Sequence, residues 1–215
     1  MDPIRQLLEL IRPETANGFS PPTRTQRLFL SAFAFLIALA LVAVWGIAAG
    51  THDGHIAIAN AVKVPMLLVV SSLTVLPLGL LVFRLTSRSA RCTDLLAGHA
   101  IAIFSASLVL AVLSPLLMLY QFSSTWAGPL VAVASVAVAF VVGFFMFVRV
   151  LEKLNPPDKS RASAFAPAAL LMIFQIAALA QTAAIAPPIL PSRTAFGEGV
   201  DSMAMKSHQH TDPQP

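Results

Sequence analysis

The chain has 215 residues, of which 57% are hydrophobic and 11% are charged, and its mean hydropathy is +0.79. About a quarter of the residues in soluble domains are charged, so this balance excludes a soluble globular fold. The formal net charge is +4, yet the basic residues stand beside apolar runs. That placement favours anionic lipid headgroups over nucleic acid as their partner.

The first 27 residues are expected on the cytoplasmic side of a membrane, with a short amphipathic helix over residues 3–12. Asp2 is a favourable N-cap residue, and Pro3 suits the first helical position. Apolar side chains then recur with helical spacing until Pro13 ends the pattern; they are Ile4, Leu7, Leu8 and Ile11. We expect this helix to lie in the headgroup layer.

Five long apolar runs follow, each long enough to cross a hydrocarbon core of about 30 Å as a helix. They cover residues 28–50, 64–83, 95–120, 129–148 and 164–190. The predicted fold is an all-α polytopic membrane protein, a bundle of five transmembrane helices over residues 28–190. A flexible external tail is predicted over residues 191–215.

The basic residues fix the expected orientation. Eleven Lys and Arg residues fall in the N-terminal segment and the second and fourth loops, against three in the first loop and the tail. Since Lys and Arg are retained on the cytoplasmic side, the N-terminus should be cytoplasmic and the C-terminus outside. Abundant alanine and a preference for Arg over Lys are typical of a GC-rich bacterial genome, so we predict a bacterial inner-membrane location.

The loops and prolines add local detail. The first external loop, residues 51–63, is expected to turn at His52 and His55 and then to run along the interface until Pro65 begins the second span. Pro77 and Pro115 predict kinks in the second and third spans. The short uncharged turn over residues 121–128 predicts an antiparallel hairpin.

Polar side chains are rare inside the predicted spans, where Asp, Glu, Lys and Arg do not occur. His99 lies near the start of the third span, and we expect it to pair with Asp94, a backbone carbonyl or a headgroup. Gln175 and Gln181 in the fifth span are expected to form hydrogen bonds between helices.

The strongest signal for chemistry lies outside the predicted spans. The tail carries Met203, Met205, His208 and His210, and His52 and His55 are expected on the same side. Thioethers suit Cu(I), and imidazoles accept Cu(II) or zinc, so these residues are candidate metal ligands. The surrounding residues are polar, so the sequence favours a solvated tail with no cofactor, and copper or zinc binding is the alternative.

Motifs for phosphate binding, serine hydrolysis, zinc proteolysis and thiol chemistry are absent from the sequence, so no catalytic residue is predicted. The span plan, the Lys63-x-Pro65 opening of the second span, and Pro77 and Pro115 resemble small Yip1-like integral membrane proteins. That resemblance implies a helical membrane protein that works through partners and has no catalytic site.

The sequence therefore favours a non-catalytic integral scaffold or accessory subunit, packed against lipid and other membrane subunits. The alternative is a small transporter or metal-handling protein that uses the external Met and His residues. An enzyme that acts on lipid is a third class, for which the loops offer few candidate residues.

Overall fold

The computed structural model describes residues 23–86, 92–123, 126–154 and 162–185. Every regular element in these ranges is an α-helix, which confirms the all-α prediction. The helices are α1 (Arg24–Ala49), α2 (Gly54–Thr86), α3 (Cys92–Ser123), α4 (Ala127–Leu154) and α5 (Ala162–Ile185). The predicted N-terminal helix over residues 3–12 and the tail lie outside the described residues.

Among the described helices, four are long and apolar enough to cross a membrane. They are α1, α3 and α4 over their full lengths, and α2 over Gly54–Val82. The fifth helix is apolar over a shorter segment, Ala168–Ala184. A helical membrane-protein fold is thus confirmed, while the count of five transmembrane helices stays a prediction.

Consecutive helices run in opposite directions. The pairs Ser71–Gln175 and Gly79–Leu171 show this for α2 and α5, and two core clusters show it for α1, α3 and α4. Leu30 near the start of α1 packs with Ala97 near the start of α3 and Val150 near the end of α4. Trp45 near the end of α1 packs in a separate cluster with Leu117 of α3 and Ala132 of α4. We call these two ends of the bundle the Arg27 end and the Trp45 end.

The third helix forms the centre of the bundle. It packs most extensively against α4 and α1, whereas α5 packs mainly against α2 and less against α4. Nearly all side chains in the first half of α3 are buried, including Leu95 and Ile101. The second half presents Val112 and Leu119 on the outside. The Arg27 end is therefore the more completely enclosed part of the fold.

Local sequence determines where the first two helices begin. Thr23 and Gln26 form a capping box, in which each side chain satisfies the other residue's backbone N–H at the start of α1. Asp53 Oδ1 accepts the backbone N–H of His55 at 2.9 Å at the start of α2. Because Asp53 caps this point, the segment expected to run along the interface is instead the first part of α2.

Two glycines let α1 and α2 approach closely at the Trp45 end. A Cβ atom added to Gly46 would lie 2.6 Å from the backbone oxygen of Asn60. One added to Gly50 would lie 2.7 Å from the backbone nitrogen of Ala57. Real Cβ contacts are longer than this, so larger side chains at either position would push the two helices apart.

Candidate functional site

The described bundle contains buried polar side chains on all five helices, and these are its candidate functional groups. The first is an ion pair between Arg27 on α1 and Asp94 on α3. The two side chains are 8% and 3% exposed. A buried ion pair is costly to break, because removing one partner leaves an uncompensated charge. The pair therefore holds the starts of two parallel helices together.

A second polar contact joins α1 to α4 near the Trp45 end. The Trp45 indole nitrogen donates to Ser135 Oγ at 3.1 Å. The Ser135 hydroxyl in turn donates to the carbonyl oxygen of Ala132 at 2.7 Å. A buried indole N–H normally finds a partner, and here a serine on the neighbouring helix provides it.

A third contact joins α5 to α2. Gln175 Nε2 donates to Ser71 Oγ at 2.8 Å, and both residues are buried. This is the bond between helices that the sequence analysis expected of Gln175. The three contacts join α1 to α3, α1 to α4 and α2 to α5, so they hold together one group of three helices and one pair.

Other buried polar atoms have no hydrogen-bond partner in the described part of the chain. They include both ring nitrogens of His99, the Ser72 hydroxyl and Gln175 Oε1. His99 is not paired with Asp94, whose carboxylate contacts Arg27 instead. The His99 ring stands edge-on to Phe147, with 6.3 Å between ring centroids. The expected pairing of His99 with Asp94 is thus not found.

These unpaired atoms belong to helix faces that meet in one core cluster. Leu95 and Ala102, which flank His99 by about one turn on α3, pack in this cluster with Val75 of α2. Leu171 of α5 belongs to the same cluster. It precedes Gln175 by one turn, and Ser72 precedes Val75 by one turn. Neutral imidazole, hydroxyl and amide groups of this kind can bind water or a small uncharged polar ligand.

Gln181 differs from Gln175 although both lie on α5. Its side chain is exposed on the outside of the bundle. It forms no hydrogen bond with the described residues, so the predicted contact between helices is not made within these ranges. The same helix thus directs one amide inward and one outward.

The predicted metal ligands are only partly within the described residues. His52 and His55 are both exposed at the Trp45 end, and the His52 ring lies 6.3 Å from that of Phe122. No group of three or more His, Cys, Asp or Glu side chains forms a metal site in the ranges that the structure covers. The tail residues Met203, Met205, His208 and His210 lie outside those ranges.

Sequence reasoning missed the Arg27–Asp94 pair and the Trp45–Ser135 bond. A signal for the ion pair was present, because opposite charges stand at the starts of two spans that enter from the same side. For Trp45 and Ser135, helical spacing alone gives no register between α1 and α4.

No protein-family model, curated protein or solved structure matches this chain. The resemblance to Yip1-like proteins stays a prediction.

Proposed function

We propose that this chain is a non-catalytic integral membrane protein that acts as a scaffold or accessory subunit of a larger membrane complex. The observation that carries the proposal is the use of buried polar groups to join helices. Arg27 with Asp94, Trp45 with Ser135 and Gln175 with Ser71 each bridge two helices. Polar contacts between helices favour fixed packing of the helices that they join.

A fixed shape is what a docking subunit requires. Partners that bind a preorganised surface do not have to order it, which lowers the entropic cost of assembly. The outward faces of the helices are apolar along most of their length, with residues such as Leu36, Val112 and Phe145 exposed. They provide lipid-facing surface and surface on which other membrane helices can pack.

The proposed setting is the bacterial inner membrane, with five transmembrane helices, a cytoplasmic N-terminus and an external tail. The alternating helix directions support this arrangement, because they place Arg24, Arg149 and Lys153 at the Arg27 end. Under the positive-inside rule that end faces the cytoplasm.

The test is to capture the protein from gently solubilised native membranes and to identify what co-purifies. A tag inserted between residues 14 and 22 of the N-terminal segment leaves the capping box of Thr23 and Gln26 intact. We expect a defined assembly with other polypeptides in fixed ratio and no stoichiometric metal. Recovery of the single chain alone, across several mild detergents, would refute the subunit role.

A second candidate function, a small transporter, is favoured by one observation. His99, Ser72 and Gln175 carry the unpaired atoms, and each lies about one helical turn from a residue of one core cluster that includes α2, α3 and α5. A polar substrate crossing the bundle would use such groups. Pro77 lies in α2 and Pro115 in α3, the two positions at which the sequence predicts kinks.

The two candidates predict opposite results for His99→Leu. If the imidazole is a packed core group, removing its unpaired nitrogens stabilises the protein by about 1–3 kcal/mol without loss of function. If it binds substrate, the variant folds normally but loses uptake. For metal handling, replacing Met203, Met205, His208 and His210 together should change copper or zinc tolerance at unchanged expression.

A further inference from the structure

We propose that the outward face of α5 is a self-association surface on which a second copy of this chain packs, with Gln181 at its centre. This face comprises Ile173, Ala177, Ala180, Gln181 and Ala184, all of which are exposed. The inference goes beyond the subunit role, because it names a surface and an occupant and does not require any other polypeptide.

The depth of Gln181 follows from the packing of α5 on α2. Gln175 bonds to Ser71, and Gln181 lies less than two turns further along α5. Because α2 runs antiparallel to α5, Gln181 lies beside the stretch of α2 that includes Met66.

The same stretch of α2 shows which part of α1 lies at the depth of Gln181. Pro65 and Met66 line one groove together with Leu39, which lies near the middle of α1. Gln181 is therefore close to the middle of the bundle, at the level of the centre of α1.

An exposed amide at this depth is unfavourable in lipid. Hydrocarbon offers no hydrogen-bond partner, so an unpaired amide there carries a desolvation cost. Apart from Gln26, which belongs to the capping box at the start of α1, the other amide side chains inside the described spans are withdrawn from the surface: Asn60, Gln121 and Gln175 are all buried. Gln181 is the exception, and a partner that covers it would remove the cost.

Hydrogen-bond complementarity identifies a second copy as the occupant. A carboxamide has both a donor and an acceptor, so two amides can satisfy each other. Two copies inserted in the same orientation carry Gln181 at the same depth, and a two-fold axis normal to the membrane brings the amides face to face. Ala177, Ala180 and Ala184 surround Gln181 with small side chains, which allows the helices to approach closely.

Disulfide cross-linking in native membranes tests the occupant. The chain has a single cysteine, Cys92, so Cys92→Ser provides a clean background. Ala177→Cys and Ala180→Cys are expected to give a covalent dimer on mild oxidation, because disulfides form when the Cα atoms approach within about 7 Å. Ala137→Cys on the exposed face of α4 is the matched control and should stay monomeric.

A substitution series tests the role of the amide. Gln181→Leu should weaken dimerisation about fivefold, which corresponds to about 1 kcal/mol for a hydrogen bond between membrane helices. Gln181→Asn keeps the amide and should retain more of the dimer. The fraction of dimer is measured by energy transfer between labelled copies in vesicles, with thermal unfolding as the control for folding.

Several outcomes would overturn the proposal. One is that Ala137→Cys cross-links as much as the α5 variants. A second is that Ala177→Cys and Ala180→Cys cross-link only to a different polypeptide. A third is that neither α5 variant cross-links although the protein is folded. A different polypeptide on α5 would leave the subunit role intact. An α5 dimer without other polypeptides would support self-association and count against a larger hetero-complex.

Discussion

Ser71 Oγ accepts a hydrogen bond from Gln175 Nε2 at 2.8 Å and also donates to the carbonyl oxygen of Leu68 at 3.0 Å. One hydroxyl thus serves its own helix and its neighbour at the same time. Ser135 uses the same arrangement towards Trp45 and Ala132. In both places a small side chain lets two helices approach and accepts a hydrogen bond from the larger polar partner.

Ser71→Ala is expected to destabilise the protein by about 1–2 kcal/mol, because it leaves the buried Gln175 amide without an acceptor. The measurement is the midpoint of unfolding in detergent. Thr74→Ala is the matched control, since Thr74 is exposed and bonds only to the carbonyl oxygen of Val70. Equal effects of the two substitutions would argue against a special role for the contact between helices.

Replacing one member of the buried ion pair should have a larger effect. Arg27→Leu is expected to cost about 3–5 kcal/mol, since it leaves the Asp94 carboxylate buried without its guanidinium. The double variant Arg27→Leu with Asp94→Leu should recover much of that loss. Arg24→Leu removes an exposed charge from the same turn of α1 and serves as the control in the same unfolding assay. A double variant no more stable than Arg27→Leu would contradict this account of the pair.

Gly46→Ala should destabilise the protein by about 1–3 kcal/mol, because the added methyl group meets the backbone of α2 and cannot be accommodated without a shift. Gly54→Ala, at the start of α2, is the contrasting change. A Cβ atom there would meet nothing within 4 Å, so this variant should be neutral or slightly stabilising. Both are compared by heat-induced loss of the folded species on size-exclusion chromatography.

The predicted orientation can be read by labelling single cysteines in intact cells, starting from Cys92→Ser. A membrane-impermeant maleimide should label His52→Cys and Ser207→Cys from outside, and should reach Arg24→Cys only after the cells are opened. Labelling of Arg24→Cys and Ser207→Cys from the same side would mean that the chain crosses the membrane an even number of times. If His52→Cys is not labelled in intact cells, the predicted orientation is wrong and the opposite one holds.

Hydropathy predicted α1 and α3 to within four residues and the start of α4 to within two, because long uncharged apolar runs leave few alternatives to a helix in lipid. The fourth helix continues to Leu154, beyond the apolar run that ends at residue 148. The start of α2 was harder to predict. Lys63 and Pro65 suggested that a span begins there, but the helix extends back to Gly54, where Asp53 caps it. The proline removes only one backbone donor, and the helix continues through it.

The polar contacts depend on information that one sequence does not carry. Arg27 and Asp94 stand at the starts of two separate spans on the same side, and the packing of α1 on α3 brings them together. Gln175 and Gln181 are the same residue type on the same helix. The position of α2 decides that one is buried and the other exposed.

The most direct test of the proposed role is the mass of the native assembly released from membrane vesicles without prior purification. A single chain has a mass of 22.8 kDa. The account predicts a reproducible larger mass that contains this chain and at least one other polypeptide in fixed ratio. A species of one chain with bound lipid alone, at native expression, would contradict the scaffold or accessory role.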